Sequence, residues 1–302
     1  MDIRALRYFS EVVRQNGFRR ASATLHVTQP AISRSISQLE DELEVELLVR
    51  TPKGVRLTPE GEVLYRHASL ILRQVGNLGA ELRDLRSQVT GTLRVGLPPM
   101  TGSVFFGDVI TEFRRRYPGI QLQIAEYGTR QLESALAEGE VDIAAILLPV
   151  DGERFLTQTF VRDRLALLAA RNHPCAGLRK VPLRNLAGTP FVAFTEDFKV
   201  NDLIDSVCRA QGFVPGIAGR SSHLDLIVSM VSSGMGVALL PATACRTIRS
   251  ARLVTVPVVE PTVSYELALV RCRDTYVSRS CLAWIEVAAQ VLGFKVDPSF
   301  AG

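Results

Sequence analysis

Apolar positions recur along this chain with three different periods, and each period predicts a different kind of element. Ile3, Leu6, Phe9, Val12 and Val13 form a helical stripe, which predicts a helix over residues 2–15 stopped at Gly17. Residues 18–40 predict two more short helices around a tight turn at His26-Val27-Thr28. Ala21, Ala23 and Leu25 give the first of these its small and apolar positions, and Phe18 is expected to pack beneath the pair. Ile32, Ile36 and Leu39 mark one buried face of the second, which runs on toward Leu43. Thr28 is placed to cap that helix through its hydroxyl, with Gln29 and Pro30 in the first turn, where a missing N–H costs little. Leu47-Leu48-Val49 and Val55-Arg56-Leu57 then read as two short strands around a turn at 50–54, a hairpin wing beside the second helix.

Thr58 and Pro59 open a long helix that continues to about residue 89. Leu64, Ala68, Ile71, Val75, Leu78, Leu82, Leu85 and Val89 follow one another at alternating spacings of four and three. That is a period of 3.5, the seam of a coiled coil. The stripe is too narrow for an ordinary core helix, so a second copy of the chain is its simplest partner; packing on its own chain is the other reading. Gly76 and Gly79 weaken the helix and allow it to bend.

From Gly91 the period changes to that of a mixed α/β domain. Strands are predicted at 93–97, 120–125 and 141–148, with helices at 103–116 and 129–138 between them, hence a parallel sheet covered by helices. A second block follows, with strands at 164–170, 191–194, 213–218, 236–240, 253–258 and 265–270. Its helices are predicted at 201–211 and 223–233, and the last helix, at 278–292, buries Trp284 and Ile285.

Composition adds bounds rather than detail. At 302 residues, with 47% hydrophobic and 22% charged positions, the chain has room for two or three soluble domains. The net charge is +4, but residues 1–58 hold nine Lys and Arg against seven Asp and Glu, only +2. Affinity for nucleic acid must therefore come from where the charges sit. Gln29, Ser33, Arg34 and Ser37 face away from Ile32 and Ile36 and suit base edges and phosphates. Arg50, Lys53 and Arg56 on the wing suit phosphates or the minor groove, against a plainer reading as exposed charge. No signal peptide and no membrane-length apolar run is visible, which places the protein in the cytoplasm away from membranes. Five irregularly spaced cysteines suggest neither a disulfide framework nor a zinc site.

Open α/β sheets take ligands beyond the carboxyl ends of their strands. Three stretches qualify: 98–103, 128–130 and 195–199. Thr101, Ser103 and Thr129 lie at helix starts, where free N–H groups attract carboxylates, though plain capping explains each one singly about as well. Pro99, Met100, Phe194, Thr195 and Phe198 complete the candidate ligand-binding set, with Met100, Phe194 and Phe198 either lining an apolar part of the pocket or belonging to the core. Arg130 or Lys199 can balance an anion, solvated surface charge being the default.

Taken in order, these parts resemble a LysR-type transcriptional regulator. The likeness rests on Leu6-Arg7-Tyr8-Phe9, Ala21, Leu25-His26-Val27-Thr28-Gln29-Pro30-Ala31-Ile32-Ser33, Ile36, Leu39-Glu40, Leu43, Leu47-Leu48, Arg50, Leu57-Thr58 and Gly61. Looser matches continue at 113–118, 139–144, 212–215 and 231–241, so the resemblance covers essentially the whole chain. It implies an N-terminal all-α winged helix-turn-helix (1–58), a long coiled-coil linker helix for dimerisation (59–90) and a C-terminal α/β effector domain (91–302). That domain is of the type II periplasmic-binding-protein kind, with subdomain I at 91–161 and 266–302 and subdomain II at 162–265. Two crossover strands near 160–164 and 261–265 are expected to join them.

The resemblance also assigns DNA binding to Gln29, Pro30, Ser33, Arg34, Arg50 and Lys53. The partners it implies are double-stranded promoter DNA, a small organic anion in the cleft, a homodimer through the linker helix that pairs into a homotetramer, and RNA polymerase. No cofactor, metal or catalytic residue is expected, and none of the five cysteines sits in a recognisable redox motif. The alternative reading is a small-molecule-binding protein or enzyme of periplasmic-binding-protein-like fold without DNA readout. No Walker loop, G-x-S-x-G or zinc signature supports an enzyme.

Overall fold

The computed structural model describes residues 1–52, 54–84, 91–273 and 275–301. The chain folds as two compact units, residues 1–85 with 137–139, and residues 86–136 with 140–302.

The first unit is built on helices α1 (Ile3–Arg14), α2 (Phe18–Leu25) and α3 (Gln29–Leu43). Leu6, Phe9, Val12, Ala21, Ile32, Ile36 and Leu39 form its core, the face the periodicity predicts. His26 turns the chain between α2 and α3 in the left-handed region, at φ 54°. Thr28 holds the N-cap position of α3, but its hydroxyl makes no cap bond. The reason is local. Pro30 removes one of the N–H groups a cap serves, and the Ala31 N–H already donates to the Thr28 carbonyl at 3.1 Å.

Strands β1 (Leu48–Thr51) and β2 (Gly54–Leu57) pair antiparallel, with Leu48 opposite Leu57 and Thr51 opposite Gly54. The wing turn is thus tighter than the expected 50–54; Lys53 lies outside the described residues. Glu40 fixes the start of the wing, its carboxylate accepting the Leu47 and Leu48 amides at 2.8 and 3.3 Å. On the other side, the Val55 amide donates to Asn16 Oδ1 at 2.9 Å.

Helix α4 (Pro59–Asp84) starts where Thr58 Oγ1 accepts the Gly61 amide at 2.9 Å. Only glycine fits at 61, because a Cβ there would lie 2.1 Å from the Leu47 carbonyl oxygen. The predicted seam divides in two. Ala68 is buried and Leu64 half-buried against the helix-turn-helix core, so this end packs on its own chain. Ile71, Leu78 and Leu82 are 37%, 58% and 55% exposed. Leu85 and Val89 lie outside the described residues.

In the second unit, β3 (Gly91–Leu97) lies parallel to both β4 (Ile120–Glu126) and β5 (Ile143–Leu147). Helix α6 (Gly107–Arg116) follows a short helix α5 (Pro99–Thr101) and a π-helical turn at Gly102–Phe106, so this helical run begins four residues before the predicted start. Helix α7 (Thr129–Glu138) leads from β4 to β5. Strand β6 (Phe155–Ala170) then runs through sixteen residues and joins two lobes. Its first part pairs with β12 (Ser264–Cys272), which also pairs with β5. Its second part lies between β10 (Ala238–Pro241) and β11 (Leu253–Val259).

The second lobe is completed by β7 (Val181–Pro182), parallel to β11, and by the parallel pair β8 (Pro190–Phe194) and β9 (Gly216–Ser221). Its helices are α8 (Val200–Ala210), α9 (Leu224–Ser232) and α10 (Ala242–Thr247). Strand β9 starts three residues later than the pattern predicts. Gly212, at φ 84°, closes α8, and the Phe213 amide returns to the Cys208 carbonyl at 3.2 Å, so 212–213 belong to the helix cap. Helices α11 (Arg279–Leu292) and α12 (Pro298–Ala301) end the chain on the first lobe. Trp284 on α11 is fully buried; it stacks on Phe106 at 6.0 Å and meets the edge of Phe113 at 5.2 Å.

At the crossing between lobes, Asp163 on β6 stands opposite Tyr265 on β12. Burial acts to raise the Asp163 pKa, but hydrogen bonds from the Thr243 and Arg164 amides and the Tyr265 hydroxyl outweigh it and hold the carboxyl below its ordinary value. The depressed pKa makes this carboxylate stabilising above the ordinary aspartate range, a contribution lost as pH falls through the lowered folded value.

Candidate nucleic-acid interface and effector cleft

Gln29, Pro30 and Arg34 stand exposed on one face of α3, and Ser33 is half-buried between them. The opposite face is spent on Ile32, Ile36 and Leu39, which hold the helix against α1 and leave the polar face outward. Among the described residues Arg34 has no ion-pair partner, so no carboxylate competes with a phosphate or a guanine edge for it. Arg50 projects from β1, which the pairing of the wing sets beside this face. Its guanidinium lies over the Phe18 ring at 4.7 Å and donates to Ser33 Oγ at 3.3 Å. The stacking holds a cation next to the N-terminal half of α3 at small entropic cost. Arg56, across the wing from Val49, is exposed as well. The hydrophobic pattern does not mark Glu40 and Asn16 as the groups that fix this wing, because their partners are backbone amides, close in the chain for Glu40 and 39 residues away for Asn16.

In the effector unit, Thr101 and Thr129 follow the carboxyl ends of the adjacent strands β3 and β4, and both are buried. Ser103 is exposed and donates its hydroxyl to the Met100 carbonyl at 3.0 Å. Pro99 and Met100 are half-buried, Met100 packing against the main core. From the second lobe, Phe194 and Phe198 are buried and stack at 5.0 Å. Thr195 is half-buried beside them.

The loop carrying Thr195 reaches across to α7. The Arg130 amide donates to the Asp197 carbonyl at 3.3 Å, and the Gln131 amide to Asp197 Oδ1 at 3.2 Å. Lys199 pairs with Glu133 and donates to the Pro149 carbonyl at 3.1 Å. Arg130 pairs with Asp202 at 2.6 Å. The structure thus brings Thr129 and the 195–199 loop together and commits both nearby cations to carboxylates. No motif or periodicity in the sequence marks Asp197, Glu133 or Asp202. The available signal was an acidic residue in a loop directly after a strand, facing a helix whose N-cap residue, Gly128, has no side chain.

The five cysteines, Cys175, Cys208, Cys245, Cys272 and Cys281, are buried thiols outside any disulfide. Burial pushes the Cys208 and Cys245 thiols up to about 11 and the Cys281 thiol up to about 12, and raises Cys175 as well. At neutral pH, a thiol near 11 is ionised in about one molecule in ten thousand, and only the thiolate reacts readily. Hydrogen peroxide at a level that oxidises an exposed low-pKa thiol is therefore expected to leave DNA affinity unchanged and to yield no disulfide. Intact mass after thiol alkylation under denaturing conditions checks this; rapid loss of one thiol with altered binding contradicts it.

A winged helix-turn-helix joined to a two-lobed ligand-binding fold defines a ligand-responsive DNA-binding regulator. Comparison with known proteins agrees over nearly the full chain. Residues 3–62 match the family model "Bacterial regulatory helix-turn-helix protein, lysR family", and residues 86–293 match "LysR substrate binding domain". The uncharacterized HTH-type transcriptional regulator YwbI of Bacillus subtilis (strain 168) is 38% identical over 286 residues, 95% of each chain. The DNA-binding transcriptional dual regulator OxyR of Escherichia coli (strain K12) is 31% identical over 244 residues, 81% of this chain and 80% of that one. The solved structure of a full-length OxyR variant from Pseudomonas aeruginosa aligns with TM-score 0.69 and 27% identity, over 97% of this chain and 94% of that one. The chain belongs to the LysR family of transcriptional regulators. Among the described residues, no helix is long and apolar enough to cross a membrane.

Proposed function

We propose that this regulator binds promoter DNA in the cytoplasm as a homodimer that pairs into a tetramer, and that a small organic anion in the effector cleft sets its activity toward RNA polymerase. Helix α3 enters the major groove. Gln29, Pro30, Ser33 and Arg34 meet bases and phosphates there, while Arg50 and Lys53 on the wing hold the flanking backbone. The exposed part of the α4 stripe pairs two copies. Residues 1–58 read DNA, 59–90 dimerise and 91–302 regulate, with 91–161 plus 266–302 and 162–265 as the two lobes. Pro99, Met100, Thr101, Ser103, Thr129, Phe194, Thr195 and Phe198 surround the effector. The protein is a regulator rather than an enzyme.

The observation that carries the DNA reading is the outward polar face of α3 with Arg50 stacked on Phe18 beside it. The test is selection of bound fragments from genomic DNA with the full-length protein, followed by a screen of small carboxylates for altered affinity. Enrichment of a shared two-half-site sequence supports the proposal. Recovery of fragments in proportion to genomic abundance contradicts it.

A further inference from the structure

We propose that the effector domain carries its own carboxylate latch. Asp197 occupies in cis the helix end at which the effector anion is read, and it tethers the two lobes until an anion displaces it. The inference rests on the cleft being the effector site.

Helix α7 needs an outside cap. Its first N–H groups have no partner within the helix, and the residue at its N-cap position, Gly128, has no side chain to supply one. Asp197 supplies it from the other lobe. Its carbonyl accepts the Arg130 amide and its Oδ1 accepts the Gln131 amide, the N2 and N3 groups that a capping side chain ordinarily serves. The positive end of the helix dipole adds to the attraction for a carboxylate. Gly128 is part of the arrangement: a Cβ there would lie 2.0 Å from Asp197 Oδ2. A missing side chain on one lobe thus matches a carboxylate on the other.

Lys199 strengthens the same closure. Its ammonium pairs with Glu133 on α7 and also takes the Pro149 carbonyl, with the two side chains only 20% and 22% exposed. The Arg130–Asp202 pair is 50% and 58% exposed and adds little. Asp197 and Lys199 stand two residues apart, and Lys199 is the N-cap residue of α8. Whatever moves Asp197 therefore moves the start of α8.

An incoming carboxylate finds these amides already occupied. It gains at the helix end only what Asp197 gives up, so the net change is release of the interlobe tether. Effector binding in this protein loosens the cleft instead of clamping it, and the coupling to the rest of the molecule is the difference between the tethered and released states.

Amide hydrogen exchange at residues 129–133 of the full-length protein tests this, with sodium acetate as the probe and sodium chloride at equal ionic strength as the control. In the wild-type protein these amides are expected to be protected without added acetate. In Asp197→Ala they are expected to exchange about tenfold faster or more, as local opening loses its closing contact. Acetate, and not chloride, should restore protection in the variant. Asp197→Asn, which keeps an acceptor oxygen and loses the charge, should fall between. If Asp197→Ala exchanges no faster than wild type, the latch is overturned and the cleft reading stands. If exchange rises but acetate has no effect, the helix end is no carboxylate site, and the latch fails together with the anion reading.

Discussion

Replacing Leu78 and Leu82 together by glutamate is expected to yield a folded monomer whose affinity for a two-half-site operator falls about a hundred- to ten-thousandfold. The residues are 58% and 55% exposed, the largest apolar exposure along α4. They lie on a strict 3.5-residue repeat, a pattern that buries itself against a second helix of the same kind. Helix α4, at 26 residues, extends for about 39 Å at 1.5 Å per residue, far past the core that takes up Leu64 and Ala68. In the proposed dimer, carboxylates at two successive seam positions would enter the shared apolar seam and repel. The loss on DNA follows because two linked reading heads bind the second half-site as an intramolecular step, and a monomer binds each independently. Sedimentation velocity and an operator titration on the same preparation check both halves. A variant that stays dimeric and binds as before removes the stripe from the assembly.

The second large effect is on stability. Trp284→Ala is expected to destabilise the effector domain by about 3–5 kcal/mol, the range for emptying a buried aromatic site. Trp284 is fully buried between Phe106 and Phe113 and joins α11 to the π-helical turn and α6. Among the described residues its indole N–H has no hydrogen-bond partner. A buried unpartnered donor carries a desolvation penalty, so Trp284→Phe should recover much of the loss, because it keeps the stacking and removes the orphan N–H. Urea unfolding of the three proteins gives the ranking, followed by circular dichroism because Trp284 is the only tryptophan in the chain and both variants lose its fluorescence. Equal losses for alanine and phenylalanine would mean that the indole itself, rather than aromatic packing, is what the site requires.

The sequence was most legible where one physical rule dominates. Ile32, Ile36 and Leu39 are buried because a 3.6-residue period leaves little choice of face, and Thr58 caps α4 as its position before Pro59 implies. The parallel order of β3, β4 and β5 follows from helices lying between the strands. Legibility failed where long-range partners decide. The first part of β6 has a mixed polar pattern and becomes a strand through pairing with β12, which is distant in the chain. Thr28 occupies a cap position without capping, since Pro30 and the Thr28 carbonyl settle the local hydrogen bonding first. The candidate effector cleft was the least legible part. Thr101 and Thr129 could be marked from strand ends alone, but Asp197 reaches Gln131 only through folding of the two lobes on one another.

The central claim is that α3 reads DNA sequence, and a titration of wild-type and Arg34→Ala protein tests it most directly. The DNA is a fragment recovered by genomic selection, compared with a scrambled fragment over a salt series. Loss of a specific arginine contact to guanine is worth about 1–3 kcal/mol of discrimination, roughly a factor of ten to a hundred. That loss is expected on the selected fragment, with little change on the scrambled one and a salt slope close to wild type. A uniform loss on both fragments, with the salt slope reduced by about one, would assign Arg34 to a phosphate and leave base reading to its neighbours. Unchanged binding on both fragments would contradict the placement of α3 against DNA.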